Sequence, residues 1–124
     1  MKKFSIKDRL KSFIYAYRGI IVDVKTQHNL QIHIIAMLIC IFFGLFLKIN
    51  QTEWILLILF FALVIAMEII NSAIELLTDI ASPQFNSKAA NVKDMAAGAV
   101  LISAIAAIIA GIIIFVPKII QQIF

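Results

Sequence analysis

Five polar residues recur at helical intervals inside an otherwise apolar stretch: Glu68, Asn71, Ser72, Glu75 and Asp79. At 100° per residue they share one face about 100° wide, with a rise of about 16 Å from Glu68 to Asp79. An ionisable side chain at membrane depth costs at least ~2.5–3.5 kcal/mol, so such residues face a protein interior or an aqueous cavity. Two chemistries suit this row. Its oxygens match hard Mg²⁺, which takes one or two carboxylates together with substrate phosphates. A carboxylate beside the metal can also accept a proton from a substrate hydroxyl. The plain alternative, the solvated end of a long helix, fits Asp79 but poorly fits Glu68, more than two turns deeper. Lys93 and Asp94 add a cation for phosphate and a carboxylate for nucleotide or metal, or else form a surface charge couple. The sequence has no GxxxxGK[ST] loop and no protein-kinase signature, so any nucleotide site here is unconventional.

The elements that must hold these residues follow from composition. The chain has 124 residues, is 63% hydrophobic and only 15% charged, and its mean hydropathy is +1.04. That excludes a soluble domain, which is roughly 45–50% apolar and 25% charged, and a disordered tail. An integral membrane protein of one domain remains, with room for about three helical spans of ~20 residues. The net charge is +4, and seven of the eleven Lys/Arg precede position 26. A basic segment leading into a membrane is drawn to anionic headgroups rather than to nucleic acid. Cys40 is the sole cysteine and sits in an apolar run, so no internal disulfide forms.

Residues 1–29 are expected to form an amphipathic surface helix. Lys7, Lys11, Arg18 and Lys25 lie within about 40° of one another, and Ile6, Leu10, Phe13, Ile14, Tyr17, Ile20, Ile21 and Val24 share an opposing arc roughly 120° wide. Spans are expected over 31–49, 54–81 and 93–116, with Trp54 as an interfacial anchor. Ser82-Pro83 ends the second, Gln84–Asp94 reads as a loop, and Pro117 marks the end of the third. Basic residues place the N-terminus and the Pro83–Asp94 loop in the cytoplasm. The third span carries a face of small residues, Ala96, Ala99, Ser103, Ala106 and Ala110, that permits close helix packing within one chain or between copies.

The run Glu68-Ile-Ile-Asn71-Ser-Ala73-Ile74-Glu75, then Asp79, then Lys93-Asp94-Met-Ala96-Ala97-Gly-Ala99-Val100, resembles the prokaryotic diacylglycerol kinase/undecaprenol kinase family. The resemblance covers nearly the whole chain, including Tyr17-Arg18-Gly19 and the Asn29–His33 approach to the first span. It implies an all-α membrane protein with a surface helix and three transmembrane helices, assembled as a homotrimer in the cytoplasmic membrane of a bacterium. It also implies transfer of a phosphoryl group from ATP, with Mg²⁺, to a lipid alcohol, either diacylglycerol or undecaprenol. By position Glu68 matches the general base and Glu75 a metal ligand. Asn71, Glu75, Asp79, Lys93, Asp94, Tyr15 and Arg18 match the nucleotide site.

One departure stands out. The family commonly has glutamate, a second metal ligand, where this chain has Gln27, an amide that can coordinate without contributing charge. Either Gln27 suffices as a weaker ligand, or His28 or Asp23 compensates, or the protein is impaired. Gln31 stands where many relatives carry arginine. Two further readings follow from the residues alone: a small transporter using intramembrane carboxylates, and a catalytically impaired scaffold.

Overall fold

The computed structural model describes residues 5–124. Over that range the chain forms α1 (Ile6–Thr26), α2 (His28–Phe46), α3 (Gln51–Ala81) and α4 (Ser87–Ile123). The last three are each long and apolar enough to cross a membrane. Lys2 and Lys3 of the basic N-terminal segment, and residues 1–4 of the surface helix, lie outside the described residues.

Ser5 caps α1, its hydroxyl accepting from the Asp8 N–H at 3.4 Å, and Lys25 lies in the last turn, where the helix dipole favours a cation. Ile6, Leu10, Phe13 and Tyr17 are all exposed, as in a helix that beds its apolar face in lipid. Gln27 is a one-residue break in extended conformation, with its N–H donating to the Asp23 carbonyl at 2.8 Å. The surface helix therefore stops at Thr26, short of residue 29, and the first span starts earlier than residue 31, at His28. Gln31 locks this corner: its side-chain amide donates to the Val24 carbonyl at 2.9 Å, satisfying an orphan carbonyl of the last turn of α1.

The first span ends at Phe46 rather than at residue 49, because the chain closes α2 with a Schellman motif. The Ile49 N–H donates to the Gly44 carbonyl at 3.1 Å and the Lys48 N–H to the Leu45 carbonyl at 3.3 Å. Lys48 occupies the left-handed position with φ 51°. Gly44 is required by close approach: a Cβ there would sit 2.8 Å from the Trp54 ring. Asn50 and Glu53 then form a capping box, so α3 begins at Gln51, before Trp54.

Helices α2 and α3 run antiparallel, with Gly44 against Trp54 at one end and His33 beside Glu68 further along. Helices α3 and α4 are antiparallel as well, tied by Asp79–Lys93 at one end and Glu53–Lys118 at the other. Two boundaries differ from expectation here. The segment Gln84–Asp94 is not all loop, because Asn86 caps α4 by accepting from the Lys88 and Ala89 N–H groups, at 2.9 and 3.4 Å. Lys88, Lys93 and Asp94 are thus helical. Pro117 does not end the third span. The helix runs on to Ile123, and Lys118, the next residue, reaches Glu53 at 3.5 Å. Proline removes one N–H donor, but neighbouring helices and local adjustment make this tolerable in membrane helices.

The interior is small. Leu30, Ile49, Leu57, Val64, Ala96, Val100 and Ile114 are its buried apolar members. Most of the remaining Ile, Leu and Phe side chains point outward, which suits a solvent of acyl chains and not water.

Candidate active site

The acidic row of α3 changes environment along its length. Glu68 is 2% exposed and Asn71 7%, Glu75 is half-buried and Asp79 exposed. One turn apart, the Asn71 amide donates to Glu75 Oε1 at 3.2 Å. Ser72 does not join the site chemistry, because its hydroxyl donates to the Glu68 carbonyl at 3.1 Å. Helix α4 supplies Lys93, whose ammonium pairs with the Asp79 carboxylate. Asp94, the next residue, is exposed. A polar cleft of about 220 Å³ lies beside this pair, lined by Thr78, Asp79, Gln84, Asn86 and Lys93 among others.

Two residues of the other helices complete the buried end. His33 of α2 places Nε2 4.0 Å from Glu68 Oε1. Asp23 of α1 is 7% exposed and within electrostatic reach of Glu68, as is Glu75. Three oxygens in this region are buried without a hydrogen-bond partner among the described residues: Asp23 Oδ2, Glu68 Oε2 and Asn71 Oδ1. Leaving a buried acceptor unpaired costs about 1–3 kcal/mol. A fold that pays this three times in one region holds these oxygens for something outside the chain. Hard cations and hydroxyl donors are what such oxygens bind.

Among the described residues, no three His, Cys, Asp or Glu side chains converge as a closed metal cage. Mg²⁺ does not need one, since it shares its coordination between one or two carboxylates and phosphate oxygens. Glu75, the Asn71 amide oxygen and the Asp23 carboxylate are oxygen donors of the type such a cation takes. Gln27 is half-buried at the α1–α2 break, and its side chain makes no capping hydrogen bond. Tyr15 and Arg18 are not drawn into this cluster by any side-chain hydrogen bond or ion pair among the described residues. They lie exposed on α1.

The burial of Asp23 and the placement of His33 go beyond what the row on α3 indicates. One signal for Asp23 exists in the sequence: a carboxylate in the last turn of a helix opposes the dipole. For His33 periodicity offers none, because its position is set by how α2 crosses α3.

Two apolar grooves reach this end. One, about 450 Å³, runs between α2, α3 and α4 with His33 at its polar end. The other, about 560 Å³, lies between α1, α2 and α3 and is lined by Val24, Leu30, Trp54 and Phe61 among others.

The sequence profile described as "Prokaryotic diacylglycerol kinase" matches residues 14–115, most of the chain and all of the buried site. The chain belongs to the prokaryotic diacylglycerol kinase family. Within this family, it is 34% identical over 108 residues to the undecaprenol kinase of Bacillus subtilis (strain 168), covering 87% of this chain and 88% of that protein. It is 35% identical over 113 residues to the diacylglycerol kinase of Synechocystis sp. (strain ATCC 27184 / PCC 6803 / Kazusa), covering 90% of this chain and 65% of that protein. The family assignment makes the chain a membrane lipid kinase, which displaces the transporter reading of its intramembrane carboxylates. It also accounts for a site that opens on apolar grooves rather than on a soluble substrate domain.

Proposed function

We propose that the protein phosphorylates a membrane lipid alcohol, with ATP as donor and Mg²⁺ as cofactor, at the cytoplasmic face of a bacterial membrane. The single observation that carries the reading is Glu68, buried to 2% exposure with one carboxylate oxygen unpaired, at a point that apolar grooves approach from the lipid side. There it can accept the proton of an acceptor hydroxyl as the hydroxyl oxygen bonds to the γ-phosphorus and the bond to the β-phosphate oxygen breaks, releasing ADP. Glu75, with the Asn71 amide oxygen, would hold Mg²⁺, which would supply positive charge against the phosphates. Lys93, Asp79 and Asp94 line the α3–α4 end where the nucleotide sits, Lys93 contributing positive charge toward phosphate. Tyr15 and Arg18, exposed on α1, are the surface-helix residues available to the nucleotide.

Phosphoryl transfer is mostly positioning and charge stabilisation, so a few residues on three helices suffice. The basic face of α1 sets the N-terminus in the cytoplasm, where nucleotide is available. A homotrimer fits the outward apolar faces, because one chain leaves Asp79, Asp94, Tyr15 and Arg18 exposed, whereas Ala96 and Ser103 of the small-residue face are already buried within the chain. Near end-to-end coverage with the undecaprenol kinase favours undecaprenol over diacylglycerol as acceptor.

The test is purified protein in mixed micelles with Mg²⁺, radiolabelled ATP, and either a polyprenol or diacylglycerol. Label is expected in phosphorylated polyprenol, with less in diacylglycerol. Absence of label in both lipids would refute the kinase reading, and a preference for diacylglycerol would overturn the acceptor assignment.

A further inference from the structure

Asp23 is in the wrong place for a structural residue. It lies in the last turn of α1, where the helix dipole disfavours negative charge, and it is 7% exposed. Its Oδ2 has no partner among the described residues, and it sits within electrostatic reach of another buried carboxylate, Glu68. A polar side chain buried with an unpaired oxygen is costly, and an apolar side chain would fill the same space without that cost.

Gln27 follows Asp23 by one helical turn and is bonded to it through the backbone, N–H to carbonyl, at 2.8 Å. Residues four apart lie on one helix face, with Cβ atoms about 5–6 Å from each other. The carboxylate that the resemblance leads one to expect at position 27 is missing, and a buried carboxylate with a free oxygen stands one turn earlier on the same face.

We infer that Asp23 is a ligand of the divalent cation at the phosphoryl-transfer site, supplying the carboxylate that position 27 lacks. The inference rests on the lipid-kinase reading above. Asp23 from α1 and Glu75 from α3 then carry two negative charges to the cation. Glu68 stays uncommitted for proton transfer. The orphaned Oδ2 acquires its partner, and the dipole penalty at the end of α1 is offset by a full divalent charge.

The experiment is direct Mn²⁺ binding, followed by the loss of the free-ion electron paramagnetic resonance signal. Full-length protein in lipid nanodiscs is titrated in the presence of a non-hydrolysable ATP analogue. Asp23→Asn should weaken Mn²⁺ binding by about tenfold or more, and adding Gln27→Glu to that variant should restore most of the affinity. Asp23→Ala, read alongside, removes the buried charge without a polar replacement. Both Asp23 variants should keep the parental helicity and gel-filtration elution. Parental Mn²⁺ affinity in Asp23→Asn, or no recovery on adding Gln27→Glu, overturns the assignment, and loss of helicity in both variants overturns it in favour of a structural role. Failure of the kinase reading itself shows elsewhere, as unlabelled lipid from the parent chain in the micelle assay.

Discussion

The two ends of the α3–α4 pair use the same residue types and treat them in opposite ways. At one end Glu53 accepts from the Asn50 N–H at 2.7 Å, Asn50 accepts from the Glu53 N–H at 2.9 Å, and Lys118 reaches Glu53 at 3.5 Å. The Asn50, Glu53 and Lys118 side chains are all engaged within the chain. Toward the other end, inward of the exposed Asp79–Lys93 pair, Glu68 and Asn71 are more deeply buried, yet each keeps an oxygen with no partner among the described residues. Satisfied carboxylates hold a fold together, and unsatisfied buried ones store free energy that a substrate or cation releases on binding. Damage at the first end should therefore appear as lost stability, and damage at the second as lost turnover.

The largest effect is expected at Glu68. Glu68→Gln preserves shape and removes the proton acceptor, so turnover should fall by about 10²–10⁴-fold. Thermal unfolding should occur at the parental temperature or above it, because a buried charge has been removed. Lipid phosphorylation and a melting curve on the same preparation check both halves. A melting temperature lowered as far as by the substitutions at the other end would abolish the contrast.

Gly44→Ala is the opposite case. The added Cβ would stand 2.8 Å from the Trp54 ring and 3.1 Å from Ile49, which should cost about 1–3 kcal/mol through overpacking of the α2–α3 turn. Denaturation in detergent should register that loss, while KM for nucleotide stays at the parental value. Glu53→Ala comes next, at about 1 kcal/mol, from half a capping box and one partly exposed ion pair. Since the pair with Lys118 fastens the chain just beyond Pro117, hydrogen exchange should rise over 118–123 in that variant. Unchanged exchange there would mean that the stretch after Pro117 is held by lipid contacts alone.

The functional end was the more legible in sequence, and the reason is energetic. Carboxylates inside a membrane span are costly enough to be rare, so Glu68, Asn71 and Glu75 announce themselves by period and depth alone. The three spans follow as readily from apolar length. Asp23 stands out in the sequence only as an acidic residue near position 27, and its burial, like the placement of His33, follows from the crossing of α1 and α2 over α3, a tertiary relation that no helical period encodes. The boundaries misled for a related reason. Pro117 reads as a stop, but its context is an ion pair one residue later and a partner helix alongside. The polar stretch after Gln84 reads as loop, but Asn86 is an efficient cap and turns it into the first turns of α4.

The smallest expected effect lies at Lys48, and its sign is the informative part. Lys48 occupies φ 51° at the position after the α2 cap, a conformation that costs an L-residue with a Cβ about 1–2 kcal/mol. The Schellman bonds on either side pass through backbone atoms only, so they survive any side chain. Lys48→Gly should therefore stabilise the protein. Part of the relief is cancelled by the greater freedom of glycine in the unfolded chain, leaving a gain of about 0.5–1 kcal/mol. A rise in unfolding temperature with unchanged turnover would show that strain at the structural end is dispensable, in contrast to the unpaired oxygens at the other end. A fall would mean that the Lys48 side chain itself binds something at that interface, anionic headgroups being the partners its charge suits.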